Sequence, residues 1–343
     1  MRQIPLNTMT LFADLLQNLE MGDAVAASIA TKTIKKKKYV YATSRDGSAR
    51  IEKYLGLADD PAVQVEVERF RNAAGRAKSR RNTVTLLKGA RVPAPTLVLG
   101  RILEVIANAG LFKRGVTLVG TSAYQTYAGV LGFYLPTSTY STNDVDISVA
   151  EFVPGEHEED FGEILKRADP TFGPDWKNDD KLPKVFRASN GFAVELLTSF
   201  GRGRTSPVLV ESIGVSATPL SFQEYPAEQT METAALYGAG VLVRVPKPLR
   251  FAIHKLIVAQ RRKQTEGGKK QKDLRQAQEL IEIFLATDES ALQDELDSAR
   301  DRGKAWKTAI NASLREINRD ARQGRLPMLI AESNSNDKRK IKR

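Results

Sequence analysis

Apolar side chains near the N-terminus fall at Leu11, Leu15, Leu16 and Leu19, close to a 3.6-residue period. That spacing predicts helix for residues up to about 34. The period then drops to two over residues 37–44, Lys-Lys-Tyr-Val-Tyr-Ala-Thr-Ser, which predicts a strand. The turn Arg45-Asp-Gly-Ser48 and residues 49–57 complete a hairpin, with Tyr39, Tyr41 and Tyr54 expected at its core. Pro61 opens a helix with Val63, Val67 and Phe70 on one side, which runs toward the basic segment 76–81. Pro95 precedes another helix, residues 96–109, striped by Leu99, Leu103 and Ile106 and stopped by Gly110.

Residues 116–149 change character: an apolar strand, a glycine turn, a helix over residues 123–131, then a second strand. An acidic loop follows over residues 151–160, a short helix over 161–168, and a Gly/Pro/Asp-rich loop over 171–181 that holds Trp176. Three strand-like runs come next, 184–188, 192–197 and 208–213, the first two joined by the hairpin pair Asn190-Gly191. Residues 234–237 and 241–245 form a hairpin across Gly238-Ala-Gly240, and Pro246 and Pro248 end it and start a helix over 249–260. From residue 272 the pattern is helical, with one stripe of Leu274, Ala277, Leu280, Ile281 and Phe284 and another of Trp306, Ile310, Leu314 and Ile317. No internal repeat is visible. The expected class is α+β: a mixed β-sheet with flanking helices, an N-terminal helix and hairpin appendage, and a helical C-terminal domain. The expected divisions are residues 1–89, 90–246, 247–333 and a disordered basic tail at 334–343.

Composition narrows the function. The 343 residues lack cysteine, which excludes disulfides, thiolate zinc sites and cysteine nucleophiles and fits a reducing cytoplasm. No apolar run is long enough to span a bilayer, so no membrane is expected as a partner. The N-terminal residues are too acidic and too short in apolar run for a signal peptide. The net charge of +11 is gathered in runs at 35–38, 76–81, 261–272 and 338–343. Clustered positive charge favours polyanionic partners, nucleotide or nucleic acid.

The candidate chemistry lies in residues 116–149. Asp144 and Asp146 sit two apart on a strand, so both side chains share one face while Val145 and Ile147 share the other. Adjacent like charges repel, and a divalent cation is the usual reason for the pattern; hard oxygen donors select Mg²⁺ or Mn²⁺. An exposed strand face is the structural alternative. Gly120-Thr121-Ser122 opens the next helix after a buried strand, where glycine admits close approach and free amides suit phosphate. The alternative is an ordinary glycine turn with a serine cap. It is neither a Walker loop, lacking Gly-Lys-Thr/Ser, nor a dinucleotide fingerprint, lacking the later glycines. Tyr124 and Tyr127 are expected in core or rim, and neither His157 nor His254 supports a Ser-His or zinc mechanism. The basic hairpin with Tyr39 and Tyr41 reads either as a nucleic-acid surface or as cross-strand aromatic packing.

Val119-Gly120-Thr121-Ser122 followed by Asp144-Val145-Asp146-Ile147 resembles the signature of the nucleotidyltransferase fold, the DNA polymerase β superfamily. The resemblance implies a third carboxylate on a neighbouring strand. Phe192-Ala-Val-Glu-Leu-Leu197 supplies Glu195, the only charge in an apolar run and expensive to bury unpaired. Phe251-Ala-Ile-His-Lys255-Leu and Lys272-Asp273-Leu resemble the "KL … R … KDL" pattern of a bacterial subgroup. Together these imply an Mg²⁺-dependent transferase that moves a nucleoside monophosphate from an NTP to a hydroxyl of nucleic acid or protein. Asp144, Asp146 and Glu195 would be catalytic and hold the metal; Gly120, Thr121, Ser122, Asn143, Lys255 and Arg261 would contact the nucleotide. Two departures stand out: Thr121 where the pattern has glycine, and a long interval before Asp144 that requires an insertion around residues 132–142. The alternative is a member of the fold that binds nucleic acid or nucleotide without turnover. A dinucleotide-dependent enzyme would leave no role for both aspartates.

Overall fold

A computed structural model describes residues 1–22, 26–46, 49–136, 143–156, 158–176, 181–199 and 206–320. His157, the basic run 338–343, the tail at 334–343 and much of the expected insertion at 132–142 lie outside the described residues. The chain divides between Pro246 and Lys247 into two compact units.

In the first unit, helix α1 (Leu6–Glu20) buries Thr8, Phe12 and Leu15. The helix expected as far as residue 34 stops here. Residues 28–34 instead form strand β1 (Ser28–Ile34), in which Ile29, Thr31, Thr33 and Ile34 are β-branched and favour extended backbone. Strands β2 (Lys37–Asp46) and β3 (Ala49–Leu57) complete an antiparallel sheet in the order β1-β2-β3. Helix α2 (Pro61–Gly89) begins with Pro61 and is capped by Asp60, whose side chain accepts from the Ala62 N–H at 2.8 Å. Val40 of β2 packs with Val63 and Val67 of α2, joined by Ile29, Leu55 and Ala58. The tyrosines are therefore not the core of the hairpin. Alternation puts them on the opposite, outward face, because Val40 and Ala42 take the covered one.

Helix α3 (Leu97–Asn108) is capped by Thr96 and buries Leu99, Ile102, Leu103 and Ile106. Strand β4 (Thr117–Val119) leads into α4 (Gly120–Tyr124) and α5 (Tyr127–Leu131), two short helices where the sequence suggests one. Tyr124 and Tyr127 are fully buried and meet edge to face at 6.1 Å; the Tyr127 hydroxyl donates to the Pro246 carbonyl at 2.8 Å. Then come β5 (Asp144–Ser148), α6 (Phe161–Ala168), β6 (Gly173–Pro174), β7 (Val185–Arg187), β8 (Ala193–Ser199), β9 (Val208–Val210) and β10 (Val215–Leu220). Helix α7 (Glu224–Glu228) and the two-stranded pair β11 (Thr230–Ala235) and β12 (Val241–Pro246) end the unit.

The main sheet is mixed, with the order β4-β5-β8-β10-β9. Strands β5, β8 and β10 are parallel, while β4, β9 and β7 run antiparallel to their neighbours. The edge of β8 away from β5 is shared: residues 193–195 pair with β7 and residues 197–199 with β10. Strand β10 is not evident in the pattern, because Pro219 interrupts the short run Val-Ser-Ala-Thr-Pro-Leu. The class is α+β, a mixed sheet with flanking helices and C-terminal helices.

The second unit is helical: α8 (Pro248–Ala259), α9 (Gly267–Thr287), α10 (Glu289–Asp301) and α11 (Lys304–Asp320). Its buried side chains include Phe251, Leu256, Leu280, Leu296, Ile310 and Leu314.

Candidate active site

Strand β5 lies between β4 and β8, and its register sets the site. Asp146 is opposite Val119 on one side and Glu195 on the other, and Glu195 is opposite Val185. Residues paired across strands point to the same face, so Asp146 and Glu195 stand side by side between two buried valines. Both carboxylates are half-buried, and Asp144, two residues earlier on the same face, is exposed. Asn143 is exposed, and its carbonyl accepts from the Ala193 N–H at 2.9 Å, tying the start of β5 to β8. Like charges directly opposed in a sheet destabilise it. The Asp146 and Glu195 carboxylates repel each other across β5 and β8, a repulsion that a nearby cation offsets.

Gly120 meets the same row from the end of β4. Its φ is +65°, the left-handed region that a side chain disfavours. A Cβ placed there would lie 2.5 Å from Asp146 Oδ2. The glycine turn and the acidic strand are thus one constellation, with the Asp146 carboxylate against the start of α4. Thr121 and Ser122 are buried, whereas Gly120 is partly accessible.

In the second unit Lys255 and Arg261 have different surroundings. Lys255 is only 7% exposed, and its ammonium donates to Asp273 Oδ1 at 2.6 Å. Arg262 Nε donates to the other oxygen, Oδ2, at 2.9 Å. The Lys255-Leu256, Arg262 and Lys272-Asp273-Leu274 elements therefore converge on one buried ion-pair cluster. Asp273 is fully buried; burial pushes its carboxyl up, but Lys255 and Arg262 outweigh this and hold it below the usual carboxylate range. Arg262 and Asp273 were not among the candidate site residues. The signal was present: Asp273 lies four and seven residues before Ala277 and Leu280, on the buried stripe of α9. Arg261 is exposed and sits past the end of α8, in a turn whose N–H bonds to the Val258 carbonyl at 2.9 Å, rather than on the helix. His254 is pushed down to about 3 by burial and then by the Lys255 charge, so it is neutral at ordinary pH.

Chemically, the first unit offers hard oxygen donors on one sheet face, with the Asp146 carboxylate against the glycine turn. Among the described residues, no three acidic or imidazole side chains converge into a group that would hold a metal ion. A family model described as Nucleotidyltransferase matches residues 98–301. The chain belongs to the nucleotidyltransferase family. The matched span runs through Gly120, Asp144, Asp146, Glu195 and the Lys255–Asp273 cluster, and covers more than half of the 343 residues. A solved structure of an antigenic nucleotidyltransferase-like protein from Paracoccidioides brasiliensis is similar at 14% identity and a TM-score of 0.32. The match covers 64% of this chain and 95% of that one. A search of curated proteins finds no significant match. No helix among the described residues is long and apolar enough to cross a membrane.

Proposed function

We propose that this nucleotidyltransferase moves a nucleoside monophosphate from an NTP to an acceptor hydroxyl of nucleic acid or protein. The acceptor oxygen forms a bond to the α-phosphorus, the bond from that phosphorus to the bridging oxygen breaks, and pyrophosphate leaves with that electron pair. The observation that supports this most is the register setting Asp146 beside Glu195 with Gly120 against the carboxylate. A pair of opposed acids is disfavoured in a sheet unless a cation offsets it.

Asp144, Asp146 and Glu195 are the residues that would hold Mg²⁺ or Mn²⁺, since carboxylates are the hard donors those ions take. When bound, the ion offsets charge on the triphosphate and on the attacking and leaving oxygens. Gly120 leaves room for the Asp146 carboxylate beside the turn, and Gly120, Thr121, Ser122 and Asn143 are assigned to contact the nucleotide. Glu195, set between Val185 and Asp146 across the strands, takes the proton of the acceptor hydroxyl.

The test is incubation with each α-labelled NTP, Mg²⁺, and either total RNA or lysate protein. Label should move to an acceptor, and Asp146→Asn and Glu195→Gln should each reduce transfer by at least about 10²-fold. The proposal fails if nothing is labelled and if Asp144→Ala and Asp146→Ala leave Mg²⁺ and NTP binding unchanged. A second reading, nucleotide or nucleic-acid binding without turnover, is favoured because among the described residues no third acidic or imidazole group joins Asp146 and Glu195. It predicts NTP binding with no transfer in the same assay.

A further inference from the structure

We propose that the outward face of the β1-β2-β3 sheet is a docking surface for single-stranded nucleic acid. The proposal concerns binding alone and holds whether or not the chain turns nucleotide over.

Helix α2 covers one face of this sheet through Val40, Val63 and Val67. The other face carries Tyr39, Tyr41 and Tyr54. Tyr54 lies 6.1 Å from Tyr39 and 5.4 Å from Tyr41, ring centre to ring centre, and is 53% exposed. Cross-strand packing explains why the rings touch each other. It does not explain the charge around them. Lys32 is paired with Tyr39 across the strands, and its ammonium lies 4.3 Å from the Tyr41 ring centre. Glu52 on the same face is ion-paired to Lys32 at 2.7 Å.

Two local features are unfavourable for the protein by itself and become favourable with a polyanion. Arg45 and Arg50, both exposed, are directly opposed across β2 and β3, where like charges repel. At the other end of β2, Lys35 and Lys36 form the β1–β2 turn with φ of 48° and 66°, a left-handed conformation that Asn-Gly adopts more cheaply. Positive charge is thus retained at both ends of the strand despite local strain and repulsion. Residues 37–45 span about 26 Å, with the three rings between the two basic ends. That length suits a strand of about four to six nucleotides, its phosphates on the cations and its bases on the rings. Unpaired bases are required, because in a duplex the ring faces of the bases are stacked on one another.

The test is fluorescence anisotropy of the full chain with labelled oligothymidylate, oligouridylate and a matched duplex, without NTP or metal. Both single strands should bind more tightly than the duplex. Tyr39→Ala/Tyr41→Ala/Tyr54→Ala should weaken single-strand binding by at least about tenfold. Tyr39→Phe/Tyr41→Phe/Tyr54→Phe keeps the rings, and should keep binding within about threefold of wild type. Arg45→Gln/Arg50→Gln should weaken binding while leaving the melting temperature unchanged or raised, so a folding defect in the alanine variant leaves a decisive arm. Equal affinity for duplex overturns the proposal, as do wild-type binding by a folded alanine variant, loss of binding in the phenylalanine variant, wild-type binding by the arginine variant, and displacement of the oligonucleotide by anionic lipid vesicles. Because no nucleotide is present, failure here leaves the transferase proposal standing, and failure of transfer leaves this one standing.

Discussion

Gly120 is the residue on which two constraints meet. Its backbone is left-handed, and its missing Cβ is the space that Asp146 Oδ2 occupies. Gly120→Ala should lower stability by about 1–2 kcal/mol through the backbone alone. It should lower transfer far more than that, because the new methyl group displaces the Asp146 carboxylate; thermal melts and the labelled-NTP assay together give the split. Asp146 and Glu195 behave oppositely. Asp146→Asn and Glu195→Gln keep side-chain size and remove one charge of a facing pair, so each should change stability by no more than about 1 kcal/mol. A large drop in melting temperature would mean that these carboxylates hold the fold together rather than serve a reaction. Much of this was legible in the sequence: the Asp-x-Asp spacing gave the shared face, and the lone charge in 192–197 singled out Glu195. The pairing of Asp146 with Glu195 was not, since strand register depends on long-range packing.

Helix α8 and helix α9 are locked by the Lys255–Asp273–Arg262 cluster. Asp273→Ala leaves Lys255 buried without its carboxylate and should cost about 3–5 kcal/mol, read by denaturant unfolding. The neighbouring His254 adds a pH dependence. Its folded-state value is about 3 and its ordinary value 6.5, so between those limits the unfolded chain binds more protons. Stability should therefore rise with pH from about 3 to 6.5, by about 1.4 kcal/mol per pH unit at most, and level off above. Asp273, held below its ordinary value of 3.8, contributes in the same direction at the acid end. His254→Gln should flatten the curve between pH 4 and 6 in urea titrations. At the same scale, the N-terminal misreading has a clear cause: the leucine stripe of α1 is real, but the β-branched residues after Gly22 turn the chain to strand.

For the whole molecule, the net charge of +11 supplies a sequence-independent attraction to polyanions. Salt should weaken oligonucleotide binding, and the slope of log affinity against log salt counts the phosphates neutralised. Tyr39→Ala/Tyr41→Ala/Tyr54→Ala should lower affinity without changing that slope. Lys35→Gln/Lys36→Gln/Lys37→Gln should reduce the slope by about 2–3. An unchanged slope in the lysine variant would place the phosphate contacts elsewhere on the chain.

Local physics determined what the sequence displayed by itself. Alternation and turn chemistry marked β2, β3, β7 and β8; caps and prolines marked α2, α3 and α8; the Gly-Thr-Ser turn and Asp-x-Asp pair marked the chemistry. Each of those signals acts over a few residues. Only the tertiary structure decided which faces are covered. It put Lys255 in a buried ion pair rather than at the surface, turned the three tyrosines outward, and brought Gly120, Asp146 and Glu195 into one row. Those outcomes depend on strand register and helix packing between distant segments, and no short stretch of the chain contains them.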